Sequence, residues 1–155
     1  MSTLSKGIDV KGSANEIVWK ILGGTKFMDK EPVSGLDFLV VSAKGISKSS
    51  VENLAHVMDI PMKDMAALLN LSYKTLARKK KADVLNTLVS SLSIEIANTM
   101  AKGVSVFEDF DKLNRWLHKE NKALNGQKPF DLLNTPTGIK LVNQVLGRIE
   151  DGVYS

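Results

Sequence analysis

Apolar side chains recur along this chain at the three-to-four-residue spacing of helices, and capping residues, glycines and prolines mark the breaks between runs. Ile17, Val18, Ile21 and Leu22 follow the capping-box pair Ser13 and Glu16 and stop at Gly23 and Gly24, which predicts a short first helix. The first ten residues are small and polar without periodicity and read as a loose tail. Ser34 with Asp37 opens a second start before the apolar run Phe38 to Val41, closed by Gly45; a buried strand competes, and helix is the preferred reading. Ser47 caps a helix from Lys48 to Met58 whose face is Val51, Leu54, Ala55 and Met58, and Pro61 separates it from the next element.

The longest predicted helix runs from Asp83 to Met100, where Val84, Leu85, Leu88, Val89, Leu92, Ile96 and Met100 keep a period near 3.6 and Gly103 supplies the stop. Further amphipathic segments cover Phe107 to His118, Pro129 to Leu133 and Pro136 to Asp151. In the last, Thr135 is the N-cap, Pro136 takes the first helical position and Gly152 ends the helix. No internal repeat or low-complexity linker interrupts the series, and the expected class is all-α.

Between Pro61 and Lys81 two short helices meet in a helix-turn-helix pattern. Ala66 is the small residue where the second helix crosses the first, and Asn70, four residues on, tolerates the left-handed backbone of the turn. Met65, Leu69, Leu71 and Leu76 are the apolar clamp. Ser72 caps the second helix, so Tyr73, Lys74 and Thr75 stand at its exposed N-terminal end, with Arg78 and Lys79 one turn further. A recognition helix meets base edges with its N-terminal residues, and flanking bases meet phosphates.

Charge sharpens that reading. The net charge is +4, yet residues 1–73 hold eight bases and eight acids, and residues 104–155 hold seven of each. The excess sits in Lys74, Arg78, Lys79, Lys80 and Lys81, a phosphate-binding footprint that coincides with the motif. The expected DNA-binding set is therefore Ser72, Tyr73, Lys74, Thr75, Arg78, Lys79, Lys80 and Lys81.

Composition excludes other classes. With 43% hydrophobic and 25% charged residues the chain reads as an ordinary soluble protein, neither disordered nor membrane-embedded. No run approaches a transmembrane span and the first ten residues hold no apolar signal-peptide core, so the expected location is the cytoplasm. There is no cysteine, and His56 and His118 alone do not make the three or four ligands of a metal site. No metal or other cofactor is expected. Nor does any nucleophile–base pair, metal cluster or glycine-rich phosphate loop suggest an enzyme.

From Trp116 the chain continues with Leu117, then Asn121-Lys-Ala123-Leu124-Asn-Gly126, Pro129-Phe-Asp-Leu132-Leu133, Thr135-Pro-Thr-Gly138, and an ending from Leu146-Gly147-Arg148-Ile149 through Gly152-Val153-Tyr154 to Ser155. This resembles the toxin-binding domain of the Xre/MbcA/ParS antitoxins, and with the upstream helix-turn-helix the resemblance spans roughly residues 35–155. Residues 1–33 lie outside it, and the segment Asp83 to Gly103 carries fewer charges than is typical of the family. The resemblance implies an Xre-like helix-turn-helix region followed by a small helical toxin-binding domain. The expected divisions are 1–33 (an extension with one short helix), 34–103 (DNA binding and dimerisation) and 104–155 (toxin binding). It further implies a RES-domain toxin that degrades NAD, covered at its active-site cleft, with dimerisation, higher-order toxin–antitoxin complexes and repression of the chain's own operon.

The residues support a partner-binding role on physical grounds as well. Val153, Tyr154 and the carboxylate of Ser155 lie beyond the last predicted helix, where an aromatic anchor suits a cleft. Arg148 one turn back suits an acidic or phosphate-recognising site, although it also complements its own helix C-terminus. The expected toxin-binding set is Arg148, Gly152, Val153, Tyr154 and Ser155 with Trp116 and Asn121. The main alternative is a plain helix-turn-helix transcription regulator with a C-terminal ligand or dimerisation domain.

Overall fold

A computed structural model describes residue 5 and residues 7–152 of the chain. Helix α1 (Ala14–Leu22) starts at Ser13, whose Oγ accepts the Glu16 N–H at 3.2 Å. The Glu16 carboxylate turns along the helix to Lys20 at 3.0 Å, and this hydrogen bond holds the Lys20 ammonium pKa above its ordinary value. Gly23, at φ 125°, ends the helix as predicted. The segment ahead of α1 is not a loose tail throughout: Ile8 is buried in the core and its N–H reaches the Ser5 carbonyl at 3.3 Å.

The run after Ser34 is helix α2 (Gly35–Lys44), not a strand. Asp37 decides this locally, because its Oδ2 accepts the N–H groups of Val33 at 2.8 Å and Ser34 at 3.3 Å. Only Phe38 and Ser42 of α2 are buried, while Leu36, Leu39 and Val40 face solvent. Ser47 caps α3 (Lys48–Met58) through the Ser50 N–H, and Asp59 ends it in the left-handed region at φ 56°. Helices α4 (Met62–Leu68) and α5 (Tyr73–Arg78) follow.

The longest element, α6 (Thr87–Phe107), departs from expectation at both ends. It begins four residues late because Asn86 is the cap, accepting the Val89 N–H at 2.9 Å. The residues before it run back beside the start of α3: Leu85 N–H donates to the Ile46 carbonyl at 2.8 Å and Lys48 N–H to that of Asp83 at 2.9 Å. Val84 and Leu88 consequently point outward instead of continuing the buried stripe. Gly103 does not stop the helix. It lies inside it, where Leu113 seats so closely that an added Cβ would meet Leu113 Cδ2 at 3.0 Å. The helix ends at Glu108, φ 63°, so Phe107 belongs to α6 and not to the following helix, α7 (Phe110–Leu117), which Asp109 caps.

A 3₁₀ turn at Lys122–Leu124 and another at Pro129–Leu132 lead to α8 (Pro136–Glu150). Helices α1, α2, α3, α7 and α8 all pack on α6, and one cluster of buried side chains runs from Ile17 and Leu22 through Met100 to Ile139 and Leu146. No strand occurs among the described residues, where the one extended pairing is an isolated bridge between Ser47 and Val84. Nor is any described helix long and apolar enough to cross a membrane.

Candidate functional site

The helix-turn-helix is assembled as its residues dictate. Ala66 is buried and Asn70 takes the left-handed backbone, φ 60°, so that the Leu71 N–H returns to the Ala66 carbonyl at 2.9 Å. Met65, Leu69 and Leu76 are buried and Leu71 half-buried between α4 and α5. Ser72 caps α5: its Oγ accepts the Thr75 N–H at 3.0 Å and donates to Thr75 Oγ1 at 2.7 Å. Their two hydroxyls are thus engaged with each other, while the Tyr73, Lys74 and Arg78 side chains stand exposed around the same short helix.

Helix α5 closes at Arg78, so Lys79, Lys80 and Lys81 occupy the exit from the helix. Lys79 is half-buried, and Lys80 and Lys81 are exposed. The exit is held by its backbone, with Lys80 N–H on Asp83 Oδ2 at 2.8 Å and the Lys81 carbonyl accepting from Ser49 N–H at 3.0 Å. The eight predicted residues thus lie along the cap, body and exit of α5, and five of them are basic.

Sequence reasoning missed Lys48. Its Nζ donates to the Lys79 carbonyl at 2.9 Å and the Ala77 carbonyl at 3.4 Å, placing a cation at the C-terminal end of α5. One signal was available: a lysine at the first position of α3 opposes that helix's own dipole, and so suggests service to another element. Asn70 also has a second task, since its Nδ2 donates to the Asn134 carbonyl at 3.0 Å and ties the turn to the C-terminal segment.

In that segment the residues that carry the resemblance build geometry. Asn121 Oδ1 accepts the Ala123 N–H at 2.9 Å and its carbonyl accepts the Gly126 N–H at 2.8 Å, closing a loop in which Asn125 and Gly126 have φ 58° and 82°. Trp116 is half-buried with its ring 5.6 Å from that of Phe107, and His118 stacks on Phe130 at 4.4 Å. Thr135 caps α8 through the Gly138 N–H at 3.0 Å. Gly138 is required because a Cβ there would collide with the Leu132 carbonyl. Two polar contacts anchor the unit: Thr99 Oγ1 donates to Asn143 Oδ1 at 2.9 Å between α6 and α8, and Asn114 Nδ2 to the Val57 carbonyl at 2.9 Å between α7 and α3.

Of the predicted toxin-binding residues, Arg148 is exposed on the last turn of α8. Gly152 follows at φ 80°, its N–H on the Ile149 carbonyl at 3.0 Å. Trp116 lies on α7 and Asn121 opens the loop after it, both held by contacts within the chain. Val153, Tyr154 and Ser155 fall outside the described residues.

Comparison with known proteins finds two matched regions in the chain. Residues 37–98 match the antitoxin Xre-like helix-turn-helix domain, and residues 102–152 match the antitoxin Xre/MbcA/ParS C-terminal toxin-binding domain. A protein of Sphingobium sp. (strain YBL2) described as "Prs ADP-ribosylating antitoxin" is 30% identical over 135 residues, which cover 79% of this chain and 83% of that protein. The helical fold, the well-formed helix-turn-helix and these matches agree: the chain belongs to the Xre/MbcA/ParS antitoxins, the antitoxin component of a toxin–antitoxin system.

Proposed function

We propose that this antitoxin neutralises a RES-domain toxin that consumes NAD, by laying its C-terminal unit over the toxin's active-site cleft, and that it represses its own operon in the cytoplasm through the helix-turn-helix. The observation that carries the toxin-binding half is the exposed Arg148 on the last turn of α8, within the matched toxin-binding region and shortly before residues 153–155 of the sequence. Tyr154 supplies an aromatic body for a cleft, the segment's peptide groups supply hydrogen bonds, and Arg148 pairs with an acid at the rim. A cleft so filled excludes NAD by occupancy. Trp116 and Asn121 act by holding α7 and the following loop in the shape the toxin meets.

The relative's description names ADP-ribosylation, and this bears on the partner's chemistry. NAD hydrolysis and ADP-ribosyl transfer both begin by breaking the bond between nicotinamide and ribose, and they differ in whether water or a protein side chain takes the ADP-ribose. One plug therefore blocks either outcome. On the DNA side, Tyr73, Lys74 and Thr75 read bases from the start of α5 while Ser72 fixes its N-terminus. Arg78, Lys79, Lys80 and Lys81 contact phosphates.

The test is neutralisation of the purified toxin by the full chain, by a chain lacking residues 153–155, and by Arg148→Glu. Both changes are expected to abolish or sharply weaken inhibition while operator binding and helix content stay as in the parent chain. Full inhibition by both would place the inhibitory contacts elsewhere on the domain.

A further inference from the structure

A pocket of about 150 Å³ lies between α5 and the first turn of α6. Its walls are largely apolar: Leu76, Leu85 and Val89 are buried and Leu71 is half-buried. Helix α5 is pinned on both sides of this gap. Ahead of it the Leu71 N–H donates to the Ala66 carbonyl; behind it Lys48 Nζ donates to the Ala77 and Lys79 carbonyls and the Lys80 N–H to Asp83. So held, α5 does not settle onto α6, and the wall atoms lack the partners that close packing would give them. An aliphatic void of roughly 150 Å³ holds one benzene ring.

Three further side chains, Thr75, Lys79 and Asn86, give the pocket a polar side, and each has a donor to offer. Lys79 is half-buried, and the one ion pair among the described residues is that of Lys20 with Glu16, so Lys79 has no carboxylate partner there. Asn86 uses its Oδ1 on the Val89 N–H, which leaves its amide NH2. Thr75 Oγ1 accepts from Ser72 Oγ and keeps its own proton to give. Asn86 also caps α6, whose N-terminal end favours negative charge. A ring-sized apolar space beside an ammonium and two neutral donors fits a molecule that is apolar at one end and a carboxylate at the other. Free phosphate would leave the aliphatic walls uncovered.

We propose that this pocket binds a small carboxylate with a ring-sized apolar body, the body among Leu71, Leu76, Leu85 and Val89 and the carboxylate on Lys79, and that this ligand competes with DNA for that lysine. The site itself stands on its geometry alone. The competition rests on the DNA-binding reading above, in which Lys79 contacts a phosphate: a bound carboxylate neutralises that cation and sets a negative charge beside the duplex.

The test titrates the full chain with benzoate and with its neutral counterpart benzyl alcohol, following the methyl NMR signals of the three leucines and Val89. Benzoate is expected to shift them saturably at roughly millimolar concentration. It is expected to bind at least about 10-fold tighter than benzyl alcohol, the gain from a charged hydrogen bond. Lys79→Gln keeps the apolar walls and is expected to erase that preference at unchanged helix content. Val89→Phe puts a ring into the space and is expected to abolish binding of both probes; if it does not fold, Lys79→Gln decides. With ionic strength matched by chloride, benzoate is expected to weaken operator binding and to lower its salt slope by about 1. Shifts that do not saturate, no preference for the carboxylate, Lys79→Gln binding as the parent does, or operator affinity unmoved by bound benzoate would overturn the proposal. Failure of the DNA reading is separately visible, as a chain that binds benzoate but holds no operator even without it.

Discussion

Two glycines on one helix give a quantitative test of how the C-terminal unit is packed. An alanine Cβ at position 138 would stand 2.8 Å from the Leu132 carbonyl carbon and 3.1 Å from its Cα, with the carbonyl oxygen nearer still, whereas ordinary contacts begin at 3.4 Å. The obstacle is backbone in the 3₁₀ turn Pro129–Leu132, so it cannot swing aside as a side chain would, and α8 must lift off the turn. Forced overpacking costs about 1–3 kcal/mol, here at the upper end. The helix-propensity gain of alanine over glycine returns at most about 1 kcal/mol, leaving Gly138→Ala destabilised by about 2 kcal/mol. At position 147 the nearest neighbour is Lys102 Nζ at 3.5 Å, which a flexible side chain concedes freely, so Gly147→Ala is expected to stabilise by up to about 1 kcal/mol. The two variants should therefore differ by about 3 kcal/mol. In urea unfolding this appears as separated midpoints at unchanged slope, and in thermal melts as a gap of about 6–12 °C for a chain of this size. If Gly138→Ala is as stable as Gly147→Ala, the close approach of α8 to Leu132 is not why a glycine stands there.

Other consequences can be checked independently. Replacing Lys79, Lys80 and Lys81 by alanine should weaken binding to every DNA sequence and reduce the slope of log K against log salt by about 2–3, one contact's worth per phosphate; an unchanged slope removes these residues from the interface. Lys48→Met should cost about 1 kcal/mol of stability by freeing the carbonyls of Ala77 and Lys79. It should also speed amide exchange in α5 and lower operator affinity, and unaltered exchange would mean that Lys48 does not brace the recognition helix.

The sequence was most informative where one residue type answers a local backbone demand. Ser47, Ser72 and Thr135 cap the helices they precede, and Asn70 takes the left-handed turn, because each works within three or four residues. It was least informative where a distant segment decides. Gly103 has the signature of a helix stop, and only the arrival of Leu113 from α7 shows it to be a packing glycine. Val84 and Leu88 continue a 3.6-residue stripe, yet the pairing of residues 83–85 with the start of α3 starts the helix later and turns them outward. Ile8 looked like part of a tail because one apolar residue has no period. In the candidate sites, the basic run through α5 and its exit was readable as charge, while Lys48 was not, since it reaches across 31 residues to the Lys79 carbonyl.

The central claim, neutralisation of an NAD-consuming toxin, is tested most directly by measuring cellular NAD and protein-bound ADP-ribose after inducing the product of the adjacent gene, with and without this chain. The account predicts that NAD falls when the neighbour is expressed alone, with or without a rise in ADP-ribosylated protein, and that co-expression of this chain prevents both. NAD and ADP-ribosylation unchanged in both conditions would contradict it.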